Sequence, residues 1–169
     1  MQAREDFEPA ADDADARWMR EALGAARAAA RAGEVPVGAC VVGPDGATLL
    51  AVAGNRTRTD CDPTAHAEVL ALREAARQVG NYRLTGAVVY STVEPCAMCA
   101  GALVQARVAR LVYGARDEKA GAVESVFRVC DASSLNHRME LSAGVLEADC
   151  RALMQEFFRE RRKGLTTQP

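Results

Sequence analysis

His66-Ala67-Glu68, answered further along by Pro95-Cys96-Ala97-Met98-Cys99, is the stretch from which the rest of the chain is read. One His and two Cys offer three metal ligands, one fewer than the four with which a structural zinc site closes. A fourth position left open can hold water, and zinc lowers the pKa of such a water to roughly 7. Glu68, two residues past the His, is a carboxylate placed to move that water's proton.

Outward from these motifs, Asp62 and Pro63 read as the N-cap and first residue of a helix. It runs through Val69, Leu72 and Ala76 to about Val79, where Gly80 ends it. Pro95 opens another helix, with Cys96 and Cys99 separated by three and therefore on one face. Residues two apart on a helix point to roughly opposite sides. His66 and Glu68 can thus serve one metal only if it sits at the helix N-terminus rather than beside its flank. Two helix N-termini aimed at one zinc would bring positive dipole ends there, which favours thiolate over thiol.

Upstream, Met19, Leu23, Ala26 and Ala30 recur at helical spacing from Asp15, with Gly33 as the stop. Residues 35–42 and 47–53 read as two strands of a hairpin around Gly43-Pro44-Asp45-Gly46, followed by a polar loop, 54–61. Downstream, strands are expected at 87–92, 110–114 and 139–143, with a short helical segment around 122–129. Leu146, Leu153 and Phe157 mark an amphipathic C-terminal helix ending near Lys163-Gly164. Strands alternating with helices imply a three-layer α/β/α sandwich around a five-stranded mixed sheet.

A chain of 169 residues with 49% hydrophobic and 26% charged residues has the balance of one soluble domain. No apolar run approaches the roughly 20 residues of a membrane span. Glu5, Asp6 and Glu8 stand where a secretory signal would be basic and then apolar. No membrane association and a cytoplasmic location are the expectation. Six cysteines do not amount to a disulfide framework here, because the secretory features are missing and the chain is too large to need staples. Cys40, Cys130 and Cys150 lie in apolar surroundings and read as small core residues. The net charge of −2 hides an asymmetry: residues 1–15 carry six acids and one Arg, and residues 151–169 five bases and two acids. Residues 1–14 read as a disordered acidic extension, and 15–165 as a single domain. The basic tail keeps nucleic acid open as a partner, since phosphate contacts need only a local patch.

Several residues carry two readings at this level. Cys61, five residues before His66, is the one Cys that could close a structural shell, and His137 reads as a surface or hydrogen-bonding residue. Asn55 is either a turn residue or an amide reaching a base or sugar. In Phe157-Phe158-Arg159-Glu160-Arg161-Arg162, the arginines either solubilise a helix end or, with the aromatics, stack on and pair with single-stranded RNA.

The order H-x-E…P-C-x-x-C is the signature of zinc-dependent nucleobase deaminases. Asp62-Pro63-Thr64-Ala65-His66-Ala67-Glu68, Asn81-Tyr82-Arg83-Leu84, Glu94 to Ala102, Tyr113-Gly114-Ala115-Arg116-Asp117, Asn136-His137-Arg138 and Phe157-Phe158-Arg159 together resemble the bacterial tRNA adenosine deaminases. The resemblance runs from about Trp18 to Arg162. It implies a cytidine deaminase-like fold and deamination of adenosine to inosine at the wobble position of a tRNA anticodon. It also implies a homodimer with one zinc per subunit. It makes His66, Cys96 and Cys99 the metal ligands and Glu68 the catalytic residue. Asn55, Ala67, Asp117, Phe158, Arg161 and Arg162 become contacts to the flipped nucleotide and the anticodon loop. Three features depart from the family's pattern. Asp60-Cys61 stands where many members carry a basic residue and His, Glu160 interrupts the arginine cluster, and the acidic extension has no counterpart.

Two other functions share part of this pattern. A deaminase of a free base, nucleoside or nucleotide of the guanine or cytosine type would keep every zinc-site residue but need no basic C-terminal helix. A zinc-stabilised RNA-binding module would need a fourth protein ligand and would have no use for Glu68.

Overall fold

The computed structural model describes the backbone of residues 11–166 and the side chains of residues 14–163. Its elements in chain order are α1 (Ala11–Arg31), β1 (Gly38–Val42), β2 (Leu49–Gly54), α2 (Ala67–Val79), β3 (Val88–Val93), α3 (Ala97–Ala106), β4 (Arg110–Ala115), β5 (Glu140–Ala143) and α4 (Glu147–Thr166). The five strands form one sheet in the order β2-β1-β3-β4-β5. β1 pairs antiparallel with both β2 and β3, while β3–β4 and β4–β5 are parallel. The sheet is mixed, as expected, and its parallel half is made by the crossovers through α3 and the 116–139 loop.

The strands' period of two decides the layers. Ala39, Val41, Val89, Leu111 and Tyr113 point to one side and pack with Ala71, Leu72, Ala75, Leu103 and Val104 of α2 and α3. Cys40, Val42, Tyr90 and Val112 point to the other and meet Trp18, Met19, Ala22 and Leu23 of α1 and Cys150 and Leu153 of α4. Cys40, Cys130 and Cys150 are buried free thiols, in agreement with their sequence reading.

The approach of α1 to the sheet depends on a missing side chain. A Cβ on Gly38 would lie 2.0 Å from the Ala22 carbonyl oxygen and 2.6 Å from the Ala26 nitrogen. Beside it, Asp15 is buried and accepts Arg110 Nη1 at 3.0 Å and Nη2 at 2.7 Å, together with the Tyr90 hydroxyl at 2.8 Å. This bidentate pair bolts α1 to β3 and β4 from within the layer boundary.

Boundaries differ from expectation in instructive places. α1 starts at Ala11, so residues 11–14 of the expected disordered extension are helical, and residues 1–10 lie outside the described residues. β1 begins at Gly38 rather than residue 35, because the Val37 N–H turns back to the Val35 carbonyl across Pro36, which has no N–H to offer a ladder. The helical segment expected around 122–129 is a run of turns. Among the described residues, no helix is long and apolar enough to cross a membrane.

Candidate active site

The site lies where β1 begins, β2 and β3 end, and α2 and α3 start. α2 starts at Ala67 with His66 as its N-cap, not at Asp62. The Asp62 carboxylate instead closes a turn, accepting the Thr64 N–H and hydroxyl, both at 2.7 Å. His66 has extended backbone (φ −75, ψ 148), and its side chain caps nothing. That task falls to Asn55 at the end of β2, whose Oδ1 accepts the orphan Ala67 N–H at 2.9 Å. His66 is thereby free to turn its ring to the cysteines. Cys96 is likewise the N-cap of α3, with extended backbone and no capping bond. Both motifs sit at helix starts, the one geometry in which His66 and Glu68 reach a common point.

His66 Nδ1 is 3.7 Å from Cys96 Sγ and 3.5 Å from Cys99 Sγ, and the two sulfurs are 3.7 Å apart. Their ligand atoms all lie within 4.8 Å of one another. In this arrangement the Cys96 thiol is pulled down to about 3 by the hydrogen bonds from Cys99 and His66. Cys99, donating to it in a buried position, is pushed up. One imidazole and two cysteine sulfurs at this separation form a donor set suited to a borderline-soft divalent cation. Cys61 does not join them: it is exposed, with its sulfur 3.7 Å from the Arg58 carbonyl.

Glu68 is 3% exposed. Its Oε1 has one long contact, 3.4 Å from the Ser91 hydroxyl, which also donates to the Val93 carbonyl at 2.8 Å. Its Oε2 has no partner among the described residues. Burial pushes the Glu68 carboxyl up from its ordinary range. A buried carboxylate with one oxygen unpaired is costly, which points to a group that a ligand completes.

Above these residues opens a cavity of about 240 Å³ lined by Val35, Val37, Asn55, Thr57, His66, Glu68, Val93, Glu94, Cys96, Asp117 and Met154. A larger groove of about 460 Å³ shares Val93, Asp117 and Met154 with it and continues to Lys119, Arg151 and Phe158. Asn55 and Asp117 thus line the cavity, and Phe158, 41% exposed and edge-on to Phe157, lines the groove. Ala67 is brought to neither: it is fully buried and its N–H is taken by Asn55. Arg161 turns away toward α1, donating to the Gly33 carbonyl at 2.9 Å with its guanidinium 4.8 Å over the Phe157 ring. Arg162 is exposed on α4. His137 Nε2 meets the Val108 carbonyl at 2.7 Å, a hydrogen-bonding role as its sequence reading had it.

Two buried acids were missed in the sequence, Glu94 on the cavity wall and Glu34 behind Thr57. Glu34, 1% exposed, accepts the N–H groups of Arg58 and Thr59 and the hydroxyls of Thr57 and Thr59, and so holds the 55–61 loop. Glu94, 2% exposed, accepts the N–H groups of Asp117, Val123, Glu124 and Ser125. The one signal available was an acid set in an apolar strand end, as in Thr92-Val93-Glu94-Pro95.

Comparison with known proteins agrees with this geometry. The family model of MafB19-like deaminases matches residues 13–162. A tRNA-specific adenosine deaminase of Haemophilus influenzae is 44% identical over 149 residues, 88% of this chain and 86% of that protein. The chain belongs to the tRNA-specific adenosine deaminases. The Bacillus subtilis member is 42% identical over 88% of this chain and 91% of its own, and the Agrobacterium fabrum member 45% over 86% and 94%. A solved structure from a study of A-to-I editing by tRNA:A34 deaminases at the wobble position superposes with a TM-score of 0.78 at 44% identity, covering 81% of this chain and 98% of the other. The cytidine deaminase-like fold extends further. A Nitrosomonas europaea guanine deaminase superposes with a TM-score of 0.74 at 23% identity, covering 92% of this chain and 96% of its own, a likeness of fold alone.

Proposed function

We propose that the chain hydrolytically deaminates adenosine to inosine at the wobble position of a tRNA anticodon, using one zinc per subunit held by His66, Cys96 and Cys99. The observation that carries this reading is the orphaned Glu68 carboxylate beside a three-ligand cluster, at the floor of a cavity that opens into a longer groove. Zinc, when bound, supplies a water acidic enough to lose a proton near neutral pH. Glu68 does the rest of the proton work. It takes the proton of the attacking water, hands it to the ring nitrogen as C6 is attacked, and passes a proton to the departing ammonia. Its raised affinity for a proton in a buried site suits that shuttle. Asn55, committed at Oδ1 to Ala67, keeps its amide N–H groups for the nucleotide. Val35, Val37, Val93 and Met154 exclude water around the base.

The groove argues for RNA over a free base. A nucleoside fills the cavity and leaves Phe158 and Lys119 uncontacted, whereas a splayed loop sets neighbouring bases and phosphates against them. Asp117, at the junction of cavity and groove, is the acceptor for a sugar hydroxyl next to the target. Arg162 joins this surface. Arg161, engaged with Gly33 and Phe157, supports it by fixing α4.

A homodimer, implied by the family, has a matching surface: an apolar depression of about 260 Å³ between α2 and α3, lined by Val69, Leu72, Ala76, Tyr82, Ala102 and Ala106. Tyr82, 65% exposed at its rim with Arg83 over its ring, is an aromatic face a second subunit would cover. The cytoplasm, where tRNA is, is the assigned location. The test is incubation of purified protein with anticodon stem-loops carrying wobble adenosine, scored for inosine, alongside free adenosine, guanine and cytidine. Inosine in the stem-loop is expected. Efficient turnover of a free base with none of the stem-loop would replace this reading with that of a small-molecule deaminase.

A further inference from the structure

The proton shuttle has no use for Glu94, yet its carboxylate is buried at the cavity wall and saturated with hydrogen bonds. It follows β3 directly and precedes Cys96 by two residues. Oε1 accepts the N–H groups of Val123 at 3.2 Å, Glu124 at 2.8 Å and Ser125 at 2.9 Å. Oε2 accepts the Asp117 N–H at 3.1 Å and the Ser125 hydroxyl. All of these donors lie on the stretch after β4, which has no helix or strand until β5. The same stretch is stitched to the cysteine motif, with the Ala122 N–H on the Pro95 carbonyl at 2.8 Å and Gly121 bridged to Cys96. Packing around the carboxylate is closed: a Cβ on Gly121 would lie 2.4 Å from Glu94 Cδ and 2.5 Å from the Asp117 carbonyl oxygen.

We infer that Glu94 is a positioning residue that sets Asp117 against the bound nucleotide, and so governs how tightly the RNA is held rather than how fast the base is deaminated. The inference rests on the proposed function, in which Asp117 touches substrate. An irregular loop keeps a side chain within a few tenths of an ångström only through contacts of this kind. Asp117's own Oδ1 is spent on the N–H groups of Lys119 and Ala120, at 3.0 and 3.1 Å, which leaves Oδ2 for a ligand. The backbone N–H of Asp117 is the point at which Glu94 holds it, and Asp117 is the residue shared by cavity and groove.

The substitution Glu94→Gln separates this tie from the rest of the clamp. An amide has one accepting oxygen and one donating NH₂. Three N–H groups converge on Oε1, so the amide oxygen belongs there and the NH₂ falls at the position of Oε2. The Ser125 hydroxyl can turn to accept from it. The Asp117 N–H, itself a donor, cannot.

The experiment is steady-state kinetics of the holoenzyme on a wobble-adenosine stem-loop for Glu94→Gln, Asp117→Ala and the double variant, with metal content and melting temperature measured on each. Glu94→Gln should raise KM on the order of 10-fold, the size of one lost hydrogen bond, with a much smaller fall in kcat and no loss of metal. In the Asp117→Ala background it should add little, because both changes remove the same contact. Effects on KM that multiply in the double variant, a loss confined to kcat, or an unchanged KM would overturn the inference. If Glu94→Gln does not fold, Ser125→Ala, which removes only a hydroxyl from Oε2, takes its place in the same cycle. A smaller KM effect that vanishes in the Asp117→Ala background is then expected, and an additive one overturns the inference. A parent enzyme that leaves the stem-loop unchanged would sink the proposed function itself, whereas an active parent with additive variants sinks only the role of Glu94.

Discussion

Replacing Glu68 by Gln should make the protein inactive and at the same time more stable. The side chain is 3% exposed, one oxygen has no partner among the described residues, and the other lies 3.4 Å from a hydroxyl already donating elsewhere. Leaving a buried polar group unsatisfied costs about 1–3 kcal/mol, more for a charged one. Gln has nearly the same volume and carries no charge, so the charged part of that cost disappears while the amide stays a buried polar group. In a chain of this size 1 kcal/mol moves the melting temperature by roughly 2–4 °C, so a rise of about 2–12 °C is expected. Turnover should fall at least ~100-fold, or ~2.7 kcal/mol in the barrier, the low end for a lost proton-transfer group. Scanning calorimetry of chelator-treated protein reads the first effect, and inosine formation by the metal-loaded protein the second. Metal content should stay near one equivalent, since Glu68 is not a ligand. A variant that melts below the parent, or turns over within a few-fold of it, would refute the argument that the carboxylate is kept against stability for the sake of the reaction.

Gly38→Ala places a methyl 2.0 Å from the Ala22 carbonyl oxygen, and urea denaturation should show a loss of about 1–3 kcal/mol as α1 is pushed off the sheet. Burial alone would raise the Glu34 carboxyl, but hydrogen bonds from Thr59, Arg58 and Thr57 outweigh it and hold the group below its ordinary 4.5. A depressed carboxyl stabilises the fold above pH 4.5 and loses that contribution as pH falls through its folded pKa. Glu34→Gln should therefore be less stable than the parent at neutral pH, with the gap closing in acid. An unchanged gap between pH 7 and pH 3 would contradict this. Phe158→Ala should weaken stem-loop binding by about 1–3 kcal/mol if one base stacks there. Arg162→Ala should lower the salt dependence of that binding by about one charge contact, read from affinity against log salt.

The chemistry of the site was written in the sequence because its spacings are local. His66, Glu68, Cys96 and Cys99 fall within four residues of two helix starts, and a helix start fixes where such residues point whatever the rest of the chain does. The layers were legible for the same reason: a period of two in β1, β3 and β4 and of about 3.6 in the helices is a property of consecutive residues. The sequence could not show what carries loops across the fold. α2 begins at Ala67 rather than Asp62 because Asn55, on another strand, caps it. Residues 122–129 are not a helix because the N–H groups of Val123, Glu124 and Ser125 go to Glu94 and not to carbonyls four residues back. Arg161 has two readings in the sequence, and the family resemblance makes it an RNA contact; in the fold its guanidinium donates to the Gly33 carbonyl 128 positions away. In each case a hydrogen bond between residues distant in sequence overrides a local preference worth less than the cost of burying its donor or acceptor unpaired. Which bond wins is settled only when the layers close.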